Sequence, residues 1–186
     1  MHKIHLYYGY GKGKTTSVIG LSIRALGAGQ RVAIVQFDKG YDGQNEHYSE
    51  RFILRKLKEI GYPIEIVPTG CERMMADGTF RFKNQDEDFA EAQRGLAAAR
   101  NFIEQGDLDL LVLDEALAAV AYNLLDQSDV MALLELYEAK ERPCELVLSG
   151  HKIWDEVEKR ADLITEMRKV KHYFDEGVPA RLGVEF

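Results

Sequence analysis

The stretch that decides the fold is Tyr7-Tyr8-Gly9-Tyr10-Gly11-Lys12-Gly13-Lys14-Thr15, which joins a short apolar run to a helix-like segment. Its glycines allow successive backbone N–H groups to point into one concavity, and the helix that follows adds its positive N-terminal end. Lys14 and Thr15 stand where an ammonium and a hydroxyl can meet phosphate oxygens and Mg²⁺. The stretch therefore predicts a loop that binds a nucleoside triphosphate.

The match to the usual phosphate-loop pattern is incomplete, because that pattern has a glycine where this chain has Tyr8. A glycine-rich turn with incidental lysines is the alternative. A second motif favours nucleotide binding: the apolar run Leu110-Leu111-Val112-Leu113 ends in Asp114 and Glu115. P-loop enzymes hold Mg²⁺ or a metal-bound water with carboxylates at such a strand end. Thr15, Asp114 and Glu115 are thus the candidate metal ligands.

Length and charge restrict the class of protein. At 186 residues without a Pro/Ser-rich linker, we expect a single domain over residues 1–186. The net charge of −7 argues against bulk binding to nucleic acid or to an anionic membrane. Cys71 and Cys144 are too few and too far apart for a disulfide framework or a CxxC metal site. With no secretory signal and no long apolar run, the expected compartment is the cytoplasm.

Apolar runs alternate with helical periodicity along the whole chain. Six strand candidates are residues 4–8, 32–37, 64–67, 110–113, 146–149 and 163–167. Strands that alternate with helices imply right-handed crossovers and a mainly parallel sheet with helices on both faces. The sequence therefore predicts an α/β P-loop domain of about six strands.

Three helices are predicted from their apolar stripes. The first covers residues 15–26, and the second carries a stripe of Ile53, Leu57 and Ile60 that ends at Gly61. The third stripe consists of Phe89, Ala92, Leu96, Ala99 and Ile103.

Ligands of open parallel sheets bind beyond the carboxyl ends of the strands. The residues that follow the strands are residues 9–15, 36–40, 114–115 and 149–151 and those from Glu166 onward. Gln36, Lys39 and His151 lie in these segments and join the loop as candidate nucleotide-binding residues. His151 is a candidate phosphate contact, although a solvated loop histidine is the simpler alternative.

Several of these segments resemble the ATP:corrinoid adenosyltransferases that make adenosylcobalamin in bacteria. The resemblance rests on residues 9–16, on Arg24-Ala25-Leu26-Gly27, on Val35-Gln36-Phe37-Asp38-Lys39-Gly40, and on Leu113-Asp114-Glu115. It continues through Ala161-Asp162-Leu163-Ile164-Thr165-Glu166-Met167-Arg168 to Glu185-Phe186, which is the most family-specific part.

The resemblance implies a RecA-like P-loop fold and transfer of the 5′-deoxyadenosyl group from ATP to a Co(I) corrinoid, with release of triphosphate. Mg²⁺ is the implied cofactor, ATP the co-substrate, and cobalamin or another corrinoid the acceptor. A homodimer and a flavodoxin- or flavin-type reductase are the implied partners. Lys14 and Glu115 would be catalytic, and the implied ATP contacts are Gly9, Tyr10, Gly11, Lys12, Gly13, Lys14, Thr15, Thr16, Gln36, Lys39 and His151.

Phe80 and Phe82 are also implied as catalytic, because they align with a Phe-x-Trp pair that resembles the family's device for pushing the lower axial base off cobalt. From their spacing alone, a half-buried strand would be the simpler interpretation. The chain departs from the family pattern at Phe82 of this pair and at three other positions, which are Tyr10, Leu117 and His151.

Two other functions remain open from the sequence. One is an ATPase or kinase that uses the same loop but cleaves at the γ-phosphate. The other is a switch that binds nucleotide or corrinoid without turnover.

Overall fold

A computed structural model describes residues 2–40, 46–73, 75 and 81–186. Its centre is a sheet of six strands in the order β3-β2-β4-β5-β1-β6, and every pairing is parallel. The strands are β1 Ile4–Tyr8, β2 Val32–Gln36, β3 Ile64–Pro68, β4 Leu110–Asp114, β5 Glu145–Gly150 and β6 Leu163–Glu166. The predicted α/β fold with a parallel six-stranded sheet is confirmed.

In the described part of the chain, six helices connect the strands, and one 3₁₀ turn, Tyr173–Glu176, follows β6. They are α1 Lys14–Gly27, α2 Glu50–Glu59, α3 Asp86–Gln105, α4 Ala116–Ala121, α5 Gln127–Ala139 and α6 Asp155–Arg160. Within the described ranges, every helix is too short or too polar to cross a membrane.

The sheet is covered on both faces because its central strands are apolar on both sides. In β2, Val32 and Ile34 pack with α1 and α2, whereas Ala33 and Val35 pack with the cluster formed by α3 and α5. This alternation follows from the two-residue period of a strand, and it divides the core into two layers. The carboxyl ends of all six strands consequently lie at one edge, where α1 and α4 begin.

The stripe predicted for α2 was wrong at two of its three positions, since only Leu57 is partly buried against the core. Ile53 and Ile60 are 54% and 66% exposed, whereas Arg51 and Leu54 are buried. Arg51 can be buried because its guanidinium donates to Gln36 Oε1 at 2.6 Å, to Glu46 Oε1 at 2.9 Å and to the Lys39 carbonyl at 2.7 Å. These polar contacts turn the helix away from the orientation that its apolar side chains predict.

The α3 stripe was correct from Ala92 onward but wrong at Phe89, which is 41% exposed. The buried residue of the first turn is Asp88, whose carboxylate accepts two hydrogen bonds from the Arg81 guanidinium. These contacts, with burial opposing them, lower the pKa of Asp88 to about 2.

Candidate nucleotide-binding site

The glycine-rich loop is held between two strand ends. The Gly9 N–H donates to the Gly150 carbonyl at 3.1 Å, and the Gly11 N–H donates to the Met167 carbonyl at 2.7 Å. A Cβ on Gly11 would come within 2.6 Å of the Met167 oxygen, and one on Gly9 would also overlap it. The spacing of these two glycines therefore lets the chain after β6 pack directly on the loop.

Lys14 is the first residue of α1, and its side chain turns back across the loop. Its Nζ donates to the carbonyls of Gly9, at 2.8 Å, and Gly11, at 3.2 Å. The side chain is buried in this position. The ammonium thus lies inside the loop, as required of a charge that clamps a phosphate.

Asp114 at the end of β4 is fully buried, and both oxygens of its carboxylate accept hydrogen bonds. Thr15 Oγ1 donates to both oxygens at 3.2 Å, and Ser149 Oγ donates to Oδ1 at 2.7 Å. Gln36 Nε2 donates to Oδ2 at 3.3 Å, and Lys39 Nζ lies 2.9 Å from the same atom. Burial would raise the pKa of Asp114, but the Lys39 charge and these hydrogen bonds outweigh burial and lower it.

Lys39 completes this buried cluster. Its Nζ donates to Thr15 Oγ1 at 2.8 Å, so that the ammonium lies between the loop hydroxyl and the Asp114 carboxylate. Burial alone would lower the pKa of Lys39, but the neighbouring Asp114 carboxylate raises it overall. Lys39 is therefore charged at neutral pH. In this cluster the Thr15 hydroxyl and the Asp114 carboxylate already hold one cation, the Lys39 ammonium.

Glu115 is the N-cap residue that precedes α4, and its backbone is left-handed, φ 61°, which is uncommon for a residue other than glycine. Its N–H donates to Ser149 Oγ at 2.8 Å. Its side chain lines a cavity of about 210 Å³ together with Lys39, Tyr122 and His151. Burial, and then repulsion from Asp114, raise the pKa of Glu115. A carboxylate in this strained and partly desolvated position is a candidate ligand for a cation.

His151 follows β5 and forms an aromatic group with two tyrosines. Its ring stacks on Tyr10, with centroids 5.5 Å apart, and meets Tyr122 edge-on at 5.4 Å. Its Nδ1 is buried and has no hydrogen-bond partner among the described residues. Burial and the nearby Lys14 charge lower the pKa of His151. Two departures from the family pattern, Tyr10 and His151, therefore lie together, and the phosphate contact suggested for His151 stays a prediction.

The structure thus brings most of the predicted nucleotide-binding residues to one edge, but Lys12 points away from the loop concavity. Lys12 Nζ lies 2.8 Å from Glu185 Oε1 and 2.7 Å from the Val184 carbonyl. Thr16 lines a different cavity, of about 290 Å³, together with Thr15, Lys39 and residues 183–186. The C-terminal segment therefore forms one wall beside the start of α1.

Of the aromatic pair, Phe80 lies outside the described residues. Phe82 is 85% exposed, so the half-buried strand proposed as the simpler interpretation is wrong. Phe82 lines a cavity of about 440 Å³ that also includes Arg73 and Tyr122. Tyr122 belongs to the Glu115 cavity as well, so the two cavities adjoin.

Sequence reasoning missed two groups that build the site. Ser149 was noted only as a residue that follows a strand, whereas its hydroxyl joins Asp114 to the backbone of Glu115. Arg51 positions Gln36 and the Lys39 carbonyl from α2. A buried arginine gives no periodic signal, whereas a hydroxyl at the end of the strand beside Asp114 could have been identified from the parallel sheet.

The loop before α1 and the buried carboxylate after β4 define a nucleotide-binding protein of the P-loop class. Two solved structures share the fold at low identity. The flagellar accessory protein FlaH from Methanocaldococcus jannaschii has a TM-score of 0.56 at 13% identity, over 88% of this chain and 70% of that chain. The cytoplasmic domain of EssC has a TM-score of 0.52 at 14% identity, over 97% of this chain and 34% of that chain. Both likenesses concern the fold alone.

The family model of the ATP:corrinoid adenosyltransferase BtuR/CobO/CobP matches residues 1–186, and the chain belongs to this family. It is 31% identical to the corrinoid adenosyltransferase of Escherichia coli (strain K12), over 98% of this chain and 85% of the relative. It is 32% identical to the corrinoid adenosyltransferase of Pseudomonas aeruginosa, over 97% of this chain and 82% of the relative. The resemblance drawn from the sequence motifs is confirmed.

Proposed function

We propose that this chain transfers the 5′-deoxyadenosyl group of ATP to a Co(I) corrinoid and releases triphosphate. The observation that carries the proposal is the position of Lys14 inside the glycine loop of a chain that matches the family over residues 1–186. ATP and a corrinoid as substrates fit this family, and the alternative of γ-phosphate cleavage is not favoured by it.

The reaction needs alignment and charge neutralisation rather than proton transfer. The Co(I) electron pair attacks C5′, the Co–C bond forms, the C5′–O bond breaks, and triphosphate leaves with that bonding pair. Because Co(I) is already a strong nucleophile, a Ser/His/Asp set is not required. Holding cobalt and C5′ in line is worth roughly 7–11 kcal/mol in comparable reactions.

In this proposal Lys14 and the loop N–H groups bind the triphosphate, and Lys39 contributes a second positive charge. Both ammonium groups are buried at the same edge of the sheet, so they act in a medium that weakens their charges less than water does. The remaining loop residues, Thr16 and Gln36, are proposed to shape and support this pocket.

Mg²⁺ is proposed to bind at Thr15, with Glu115 and Asp114 as the neighbouring carboxylates, Asp114 acting through a water molecule or through its hold on Thr15. The residues fit such an ion, since all three offer oxygen atoms and the Thr15–Asp114 pair already accommodates a cation. Among the described residues no three His, Cys, Asp or Glu side chains gather in a ready-made metal cluster. Phosphate oxygens would therefore supply further ligands. When bound, the ion offsets charge on the departing triphosphate.

The corrinoid is proposed to bind over the cavity that Phe82, Arg73 and Tyr122 line, next to the Glu115 cavity. Phe82 places a largely exposed phenyl ring at this rim, and such a ring offers a flat apolar face to a flat, largely apolar ligand. Phe82, with Phe80, is proposed to displace the lower axial base of cobalt. The proposed acceptor is cobalamin or a precursor of it, so two acceptors, cobalamin and cobinamide, are to be compared.

Three further features belong to the proposal. The chain would act as a single domain and as a homodimer, as the resemblance implies. It would take Co(I) from a flavodoxin- or flavin-type reductase, since the transfer consumes a reduced corrinoid.

The test is an anaerobic assay with chemically reduced cobalamin or cobinamide, ATP and Mg²⁺. A light-sensitive Co–C product formed together with intact triphosphate supports the transfer. ADP and phosphate without an alkylated corrinoid would instead establish an ATPase, and binding of both ligands without any product would establish a switch.

A further inference from the structure

The Lys39 ammonium occupies the place between the loop hydroxyl and the strand carboxylate. Its Nζ is 2.8 Å from Thr15 Oγ1 and 2.9 Å from Asp114 Oδ2. In P-loop enzymes Mg²⁺ is held between a hydroxyl and a carboxylate at these two positions of the fold. The chain therefore carries an internal cation where such enzymes place a metal ion.

The charge balance of the cluster explains why a cation is held there. Asp114 is fully buried, and Lys39 is the cation with which it is paired. A buried carboxylate without a counter-charge is strongly destabilising, because it has lost its hydration. Lys39 therefore neutralises the strand carboxylate while no nucleotide is bound.

Hydrogen bonds hold the backbone of Lys39 in place, but its ammonium borders a second cavity. The Lys39 N–H donates to the Thr69 carbonyl at 2.8 Å, and its own carbonyl accepts from Arg51 at 2.7 Å. The Nζ lies 4.9 Å from the centre of the Tyr48 ring and borders the cavity beside Thr15 and Thr16. A small rotation of the flexible side chain would move the charge onto an anion in that cavity without moving the backbone.

We propose that Lys39 and a divalent metal ion compete for the place between Thr15 and Asp114, so that the metal enters only with a nucleotide. The phosphates then accept the displaced ammonium. Competition is required because the ion must approach the hydroxyl and the carboxylate oxygens that Lys39 contacts, and two cations cannot share that space. The inference rests on the proposed function, since it takes the metal to bind at Thr15.

The test measures Mn²⁺ binding to the nucleotide-free protein by electron paramagnetic resonance at pH 8. Lys39→Met should bind Mn²⁺ at least about tenfold more tightly than the parent, because the competing charge is gone. Lys12→Met is the matched control, since Lys12 pairs with Glu185 instead. It should bind Mn²⁺ as the parent does, and Lys39→Met with Asp114→Asn should lose the gain.

Equal Mn²⁺ affinity in the parent and in Lys39→Met would overturn the competition. Lys39→Gln is the second variant if the methionine variant does not fold. If neither variant folds, the rate of acylation of the Lys39 amine is measured in the parent protein. This rate should differ at least about threefold between ATP with EDTA and Mg-ATP. Equal rates would overturn the inference. Failure of the parent to bind Mn-ATP would count against the proposed metal site itself, so the two failures are distinguishable.

Discussion

Lys14 gives the most direct test of the nucleotide site, because its ammonium lies within the loop rather than beside it. Mg-ATP at 100 times its Kd should stabilise the parent protein by about 2.7 kcal/mol. Lys14→Ala should lose most of this stabilisation in a thermal melt. Lys12→Ala should keep most of it, since Lys12 points to Glu185. An equal Mg-ATP shift in the parent and Lys14→Ala would refute the loop assignment.

Asp114 and Glu115 are adjacent carboxylates with opposite expected effects on folding. Burial and Asp114 raise the pKa of Glu115 above 4.5, so its contribution to stability is present below 4.5 and is lost as the pH rises through the folded value. Glu115→Gln should therefore keep or increase the melting temperature at pH 7 while turnover falls.

Asp114→Asn should instead be destabilising by about 3–5 kcal/mol, because it leaves the buried Lys39 charge without its partner. The pair is compared by urea denaturation and by turnover across a Mg²⁺ titration. Full activity in Glu115→Gln at every Mg²⁺ concentration would argue decisively against its metal role.

His151 provides a test of pH dependence. Its pKa is lowered from the ordinary 6.5, so its contribution to stability is complete above 6.5 and is lost as the pH falls through the lower folded value. The parent should therefore lose stability on acidification below 6.5 relative to His151→Phe, which keeps a ring to stack on Tyr10. Urea denaturation of the parent and of His151→Phe at a series of pH values from 7 downwards measures this difference in the free energy of unfolding. Identical pH profiles would mean that the ring is not desolvated in solution.

At the scale of elements, the strands were predictable because burial on both faces produces continuous apolar runs. β2 and β4 are buried throughout, and both were found within one residue of their ends. The orientation of α2 was not predictable, because it is set by the Arg51 contacts rather than by apolar side chains. Apolar periodicity predicts which helix face is buried because exposing apolar side chains to water is costly. It cannot predict the burial of an arginine whose hydrogen bonds are satisfied in the protein interior.

The role of Arg51 in orienting α2 can be tested against a residue of the same helix. Arg51→Ala should destabilise the protein by about 3–5 kcal/mol, since it removes the donor to Gln36 Oε1 and to the Lys39 carbonyl and takes one of two arginines from the Glu46 carboxylate, which keeps Arg55. Ile53→Ala should cost less than about 1 kcal/mol, because that side chain is largely exposed. Urea denaturation of both variants gives the comparison. A larger loss for Ile53→Ala would restore the apolar stripe as the buried face.

For the whole molecule, topology explains why the site could be predicted in part. Parallel strands place their carboxyl ends together, so Lys14, Lys39 and Asp114 could be assigned to one edge from sequence order alone. The hydrogen bonds that decide their roles, such as Lys39 to Thr15, depend on side-chain directions that no sequence spacing encodes. The same limit hid the contact of Tyr10 with His151, two residues 141 positions apart.

Phe82 also gives a test of how the whole protein distinguishes corrinoids. If Phe82 occupies the space below the corrin, Phe82→Ala should slow transfer to cobalamin, which has a lower base to displace, far more than transfer to cobinamide, which has none. Because Phe82 is 85% exposed, the substitution should change the free energy of unfolding by no more than about 0.5 kcal/mol.

The measurement is the ratio of kcat/KM for the two corrinoids in the parent and in Phe82→Ala, under anaerobic reduction. Phe89→Ala is a suitable control, since Phe89 is also exposed but does not line the Phe82 cavity. If kcat/KM for cobalamin divided by kcat/KM for cobinamide falls only in Phe82→Ala, base displacement is assigned to this ring. Loss of a general apolar contact would slow transfer to both acceptors alike. An unchanged ratio would leave the lower base to be displaced by another part of the protein.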